Sequence, residues 1–237
     1  MSVPDINGVF SIALEIEERL RGLQRTSMAT VRHLRKEFSS RLCDAPSFVL
    51  REIAALLLFQ PGLKFRLFAY ELVGCHQDAL YSLRPADLVQ LGAGIDNRAS
   101  ADAFALAIVG PLWRERRIPD EIIYGWARSG SRWWKRIAVV SAICLVRREG
   151  KSPKPDVRSL RILKIALAEG NSDVVTGVVS ALRPLLRTNF EAVRVFLEGL
   201  EIGSHPALRR LHRRHEAKVY GHAGGRERRE PALANIA

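Results

Sequence analysis

Cysteine, histidine, carboxylate and tryptophan positions set the chemistry this sequence can support. Cys43, Cys75 and Cys144 are odd in number and far apart, with neither the paired spacing of a metal site nor a framework of bridges. All three read as small buried apolar side chains. Among the histidines only His212 and His215 stand close together, beside the basic run Arg209 to Arg214. A bound cation would meet repulsion there, so this stretch reads as a surface helix and no metal is expected. Glu71 and Asp96 resemble an acid pair, but nothing in the sequence brings them together, and Asp96 fits a turn or helix cap. The sequence has no glycine-rich loop to cradle phosphate and no nucleophile elbow, which leaves nucleotide hydrolysis and serine-type catalysis without support. Trp133 and Trp134 are adjacent, so on a helix they point about 100° apart and at least one packs inward. Neither is favoured for that place, while Trp113 and Trp126 read as packing.

Charge then narrows the partners. The 37 Lys and Arg against 25 Asp and Glu leave +12 over 237 residues, a surplus that points to an anionic partner, nucleic acid or an anionic membrane. The longest apolar stretch, Ile53 to Phe59, falls far short of the roughly 20 residues a bilayer requires. Glu15, Glu17 and Glu18 interrupt any secretory apolar region, so the cytoplasm is the expected compartment. With 47% hydrophobic and 26% charged residues the composition is that of an ordered globular chain.

These side chains must be carried by helices, because apolar residues recur at three and four positions almost everywhere and strand signals are scarce. The pattern predicts helices over 6–24, 27–42, 47–59, 62–74, 85–92, 98–109, 119–128, 131–148, 156–169, 172–186, 189–201 and 205–218. Breaks fall at Asp44-Ala45-Pro46, Gln60-Pro61-Gly62, Gly92 to Asn97, Ser129-Gly130-Ser131, Gly150 to Pro155 and Gly203-Ser204, where turn chemistry is strongest. Phe65 to Val73, Trp134 to Ile143 and Val174 to Arg183 share bulky apolar positions interleaved with Arg or Lys. The implied period is roughly 30–40 residues, as in helix-pair repeats that bury their apolar faces by stacking. The fold class is therefore all-α, an α-solenoid of helical repeats. Residues 1–218 read as one continuous array and 219–237 as a basic, mobile tail. The segment Pro206 to Glu230 has eight Lys and Arg against three Glu, which serves equally as attraction for phosphate or as a solvated surface.

Several segments, in order, resemble the AlkD-type DNA alkylation repair family of HEAT-like-repeat glycosylases. Thr30 to Phe38 is similar to its early helix, Leu67 to Val73 and Gly94-Ile95-Asp96-Asn97 to the segments that precede its catalytic helix. Ser131-Arg132-Trp133-Trp134-Lys135-Arg136-Ile137-Ala138 is similar to its Trp-x-x-Arg-(Ile/Ala)-Ala motif. The likeness covers about residues 25–215 and rests on order and spacing rather than on one motif.

The resemblance implies a monomer that holds duplex DNA, alkylated at N3 or N7 of a purine, and releases the cationic base without a metal or cofactor. It places Asp102 as the catalytic carboxylate, which stabilises oxocarbenium character on the sugar and orients water. Arg136 and Arg183 fall on arginines that face DNA, and Arg32 matches a third. Lys135 is a further phosphate candidate, against the plain reading of these cations as solvated charge. Two positions depart from the family: Arg98 and Ser180 stand where aromatics are expected. Arg98 is four residues before Asp102, so it can pair with that carboxylate and neutralise it, or clasp a phosphate while Trp133 or Trp134 supplies an aromatic wall. A noncatalytic member that recognises DNA structure, and a helical-repeat scaffold for acidic proteins, remain as alternatives.

Overall fold

The computed structural model describes residues 6–23, 27–146, 157–167, 171–188, 190–199, 206–211 and 213. Among these there are helices and no strand. The order is α1 (Ile6–Arg21), α2 (Met28–Arg41), α3 (Ser47–Leu58), α4 (Leu63–Cys75), α5 (Gln77–Tyr81), α6 (Pro85–Gly92), α7 (Arg98–Phe104), α8 (Gly110–Arg114), α9 (Asp120–Arg128), α10 (Arg132–Ser141), α11 (Val157–Leu167), α12 (Ser172–Thr188) and α13 (Phe190–Glu198). A last helical stretch covers 206–211. The tail expected over 219–237 lies outside the described residues.

Local chemistry starts several of these helices where the sequence places them. Ser27, Asn97 and Ser131 are N-caps whose side-chain oxygens accept backbone N–H groups of the first turn, which satisfies donors that have no intrahelical partner. Asn97, not Asp96, caps α7, and Asp96 accepts from the Asn97 amide nitrogen at 2.8 Å. At Gly62 the chain adopts φ 114° before α4, a conformation that favours glycine.

Two rows of helices result. α2, α4, α7, α10 and α12 pack successively on one another, while α1 on α3 and α9 on α11 form part of the row behind; α3 on α4, α9 on α10 and α11 on α12 join the two. This is the repeat architecture expected from the period, and one hydrophobic core runs from Val9 to Leu208. An aromatic chain crosses it: Tyr70 and Phe104 lie 5.0 Å apart, Phe104 and Trp134 6.3 Å, Trp134 and Trp126 4.6 Å. The Tyr70 hydroxyl donates to the Leu91 carbonyl at 2.9 Å, and burial pushes this phenol above its ordinary value.

The helix expected to end near residue 109 instead continues to Arg114, through a π turn at Ala105–Val109. Pro111 has no N–H for the Ala107 carbonyl four residues earlier, and the Gly110 N–H bonds back to Ala105. Gly74 of α4 rests against the Ala107 carbonyl, where a Cβ would collide with the oxygen. The five-residue α5 was not anticipated. Helix α10 gives way at Ala142–Leu145 to a 3-10 turn. Two cysteines also depart from expectation: Cys43 and Cys75 are exposed, because Cys43 follows the cap of α2 and Cys75 is the last residue of α4, both outside the packed stripe. Cys144 is half-buried, and desolvation pushes its thiol up to about 11. Among the described residues, no helix is long and apolar enough to cross a membrane.

Candidate functional site

The row of helices α2, α4, α7, α10 and α12 carries Asp102 and every residue named above as a candidate DNA contact. At its centre the Asp102 carboxylate meets the Arg136 guanidinium in a two-pronged pair. Nε donates to Oδ1 and Nη2 to Oδ2, both at 2.7 Å. The Arg136 side chain is 5% exposed and that of Asp102 34%, so the cation is sealed into the packing while the anion keeps one side open. Arg136 Nη1 donates to Thr176 Oγ1 at 2.9 Å and to the Asp173 backbone carbonyl. A single guanidinium thus ties α7, α10 and α12 together, using the planar fork that makes arginine suited to such a place.

Arg98 does not pair with Asp102. Its Nε donates to Asp173 Oδ1 at 2.5 Å, and Arg132 Nη1 lies 3.7 Å from Asp173 Oδ2. Asp102 is already held on both oxygens by Arg136, and an arginine ahead of its acid is the weaker i,i+4 order. Asp173 is in the first turn of α12, where a negative charge is favoured, and its own N–H donates to Asn171 at 2.9 Å.

A groove of about 630 Å³ opens beside Asp102, lined by Arg32, Glu71, Cys75, Leu106 and Pro111 among others. Its volume falls within the usual range for ligand sites. Arg32 Nε donates to Glu71 Oε1 at 2.8 Å, and Arg35 stands 3.8 Å from the same carboxylate. No aromatic side chain among the described residues lines this groove. A second groove of about 320 Å³ is lined by Thr176, Ser180, Arg183 and Arg210 with smaller apolar groups. The Ser180 hydroxyl donates to the Thr176 carbonyl at 3.0 Å. Asp173, Thr176, Ser180 and Arg183 follow one another at spacings of three and four on α12, and so form one stripe.

The remaining candidates divide between core and rim. Trp134 faces inward, packing on Phe104 and Trp126, and a Cβ at Gly92 would collide with it. Trp133 is half-buried and carries the Arg132 guanidinium 4.6 Å from its ring centre. Lys135 is buried along with Arg136. Trp113 is fully buried and its indole N–H donates to Asp120 at 2.6 Å. Sequence reasoning missed Asp173, Thr176 and Arg132. The one legible signal was Asn171, a cap residue that marks the start of α12 and places Asp173 in its first turn.

Among the described residues, no group of three or more His, Cys, Asp and Glu is placed to hold a metal ion. A model of the family described as DNA alkylation repair enzyme matches residues 18–218. No curated protein and no solved structure matches the chain.

Proposed function

The chain belongs to the DNA alkylation repair enzyme family, and on that premise we propose that it is a metal-free DNA N-glycosylase, acting on N3- or N7-alkylated purines in duplex DNA through Asp102. The observation that carries this reading is the unequal burial of the Asp102–Arg136 pair. An ionised carboxylate offers about four acceptor sites, and Arg136 takes one on each oxygen. The others remain for water and for a developing positive charge. Arg136 fixes the carboxylate without a flexible support, since its other edge is held by Thr176 and by the α12 backbone. Preorganised charge of this kind stabilises an oxocarbenium-like sugar with little reorganisation. An alkylated base that already carries a positive charge leaves with little acid assistance, so one carboxylate suffices.

In this reading Arg32, Arg98 and Arg183 are exposed cations along the same row and meet phosphates, and Trp133 is the aromatic at the rim. Buried Arg136 supports Asp102 from behind, and Lys135, buried beside it in the chain, is not counted among the phosphate contacts.

The test is release of N7-methylguanine from a duplex, with affinity for that duplex measured in parallel. Asp102→Asn is expected to slow release by about 100-fold or more while affinity stays within a few-fold of the parent. Equal release by parent and variant removes Asp102 from the role. A second reading, a DNA-binding protein without base release, is favoured by the lack of an aromatic wall in the groove beside Asp102. Tight, salt-sensitive binding by a parent protein that releases no base selects it.

A further inference from the structure

We propose that Arg98 and Arg132 form a two-armed seat for a backbone phosphodiester, occupied in the free protein by the Asp173 carboxylate, which a phosphate of the DNA displaces. The inference rests on the reading of the protein as DNA-binding and adds to it a site and its occupant.

The geometry supplies three grounds. Both arms are more than half exposed, 54% for Arg98 and 56% for Arg132, whereas Asp173 is 14% exposed and meets both of them. Most of their hydrogen-bonding capacity is unused by that contact. Arg98 gives Asp173 only its Nε–H, and Arg132, at 3.7 Å, is in coulombic rather than hydrogen-bonding range. Each guanidinium has five N–H donors. A phosphodiester, like a carboxylate, carries a single negative charge shared by two free oxygens, so Asp173 matches the proposed ligand in charge and in acceptor geometry.

The second ground is the contrast with Arg136. That guanidinium is 5% exposed and gives four hydrogen bonds to Asp102, Thr176 and the Asp173 carbonyl, so an incoming phosphate cannot recruit it without dismantling the packing. Here it is the two cations that stand open to solvent, and cations so placed are screened and free to take up another anion. The two layers of the network therefore differ in kind: one is fixed, the other exchangeable.

The third ground is register. Arg98 precedes Asp102 by four residues on α7, and Arg132 precedes Arg136 by four on α10. The proposed seat lies about one helical turn, ~5 Å, from the fixed pair. A phosphate held there presents its adjoining deoxyribose toward Asp102. Arg98 then acts as a phosphate contact in the place where the sequence led us to expect an aromatic, and Asp173 keeps the two arms from repelling each other until DNA arrives.

The experiment measures affinity of the full chain for an undamaged duplex at low salt. Asp173→Asn preserves the shape of the side chain and the backbone contacts to Arg136. It is expected to tighten binding by about fivefold or more, because the internal competitor is gone. Asp78→Asn, an exposed acid on α5, controls for the gain in net charge and is expected to change affinity by less than about twofold. In an Arg98→Ala, Arg132→Ala background the gain from Asp173→Asn should vanish. The proposal is overturned if Asp173→Asn leaves affinity unchanged or weakens it, or if the gain persists without the two arginines. Failure of all variants to bind any duplex overturns the DNA-binding reading itself, an outcome distinct from binding that is indifferent to Asp173.

Discussion

At the level of single residues, the site is governed by how unequally two partners are buried. Arg136 is almost fully enclosed and Asp102 is one-third open, so removal of the acid strands a cation inside the packing, whereas removal of both charges does not. Thr176 and the Asp173 carbonyl remain as neutral acceptors for Arg136, which moderates the penalty. Asp102→Ala is expected to cost about 2–3 kcal/mol of stability, read by urea denaturation, and a further Arg136→Met change should restore at least half of it. No recovery in the double variant would show that the pair is not a buried-charge liability. This residue-level logic was only partly legible in the sequence. The resemblance pointed to Asp102 and to Arg136 separately, but nothing in the spacing joined two residues 34 positions apart. The pairing depends on which face α10 turns toward α7, and that is set by packing.

At the level of elements, the π turn between α7 and α8 is the feature that shapes the groove. It arises from Pro111, which cannot donate to Ala107, and it leaves the Ala107 carbonyl against Gly74. Both Gly74 and Ala107 line the groove beside Asp102, so close approach of α4 to this turn defines one wall. Gly74→Ala places a Cβ against backbone that cannot rotate aside, and a loss of about 2–3 kcal/mol is expected. Gly125, inside α9, has open space around its missing side chain. Gly125→Ala is expected to stabilise the protein by about 0.5–1 kcal/mol through helix propensity. Urea denaturation of the two variants gives opposite signs if this account holds; destabilisation by both would show that α9 is packed more tightly than described.

At the level of the molecule, a net charge of +12 predicts salt-sensitive affinity for DNA, but much of the basic surface is internally committed. Arg19 with Glu37, Arg41 with Glu15, and Arg194 with Glu191 are examples. Arg183 and Arg210 differ, since they line one groove and neither has an ion-pair partner among the described residues. Arg183→Ala is expected to weaken duplex binding by about five- to tenfold and to lower the slope of log affinity against log salt by about 1. A merely solvated charge would leave the slope unchanged.

The sequence by itself determined the helical class, the repeat period, the family and most helix boundaries. These follow from local causes: apolar spacing on each helix, cap residues such as Ser27, Asn97 and Ser131, and turn residues between them. Tertiary structure alone decided that Arg98 reaches Asp173, 75 residues away, that Trp134 rather than Trp133 enters the aromatic core, and that Cys43 and Cys75 lie outside it. A helix period fixes which residues share a face, but the neighbour that face meets is chosen by how the rows stack. Ion pairs, exposure and the open side of a carboxylate are consequences of that choice.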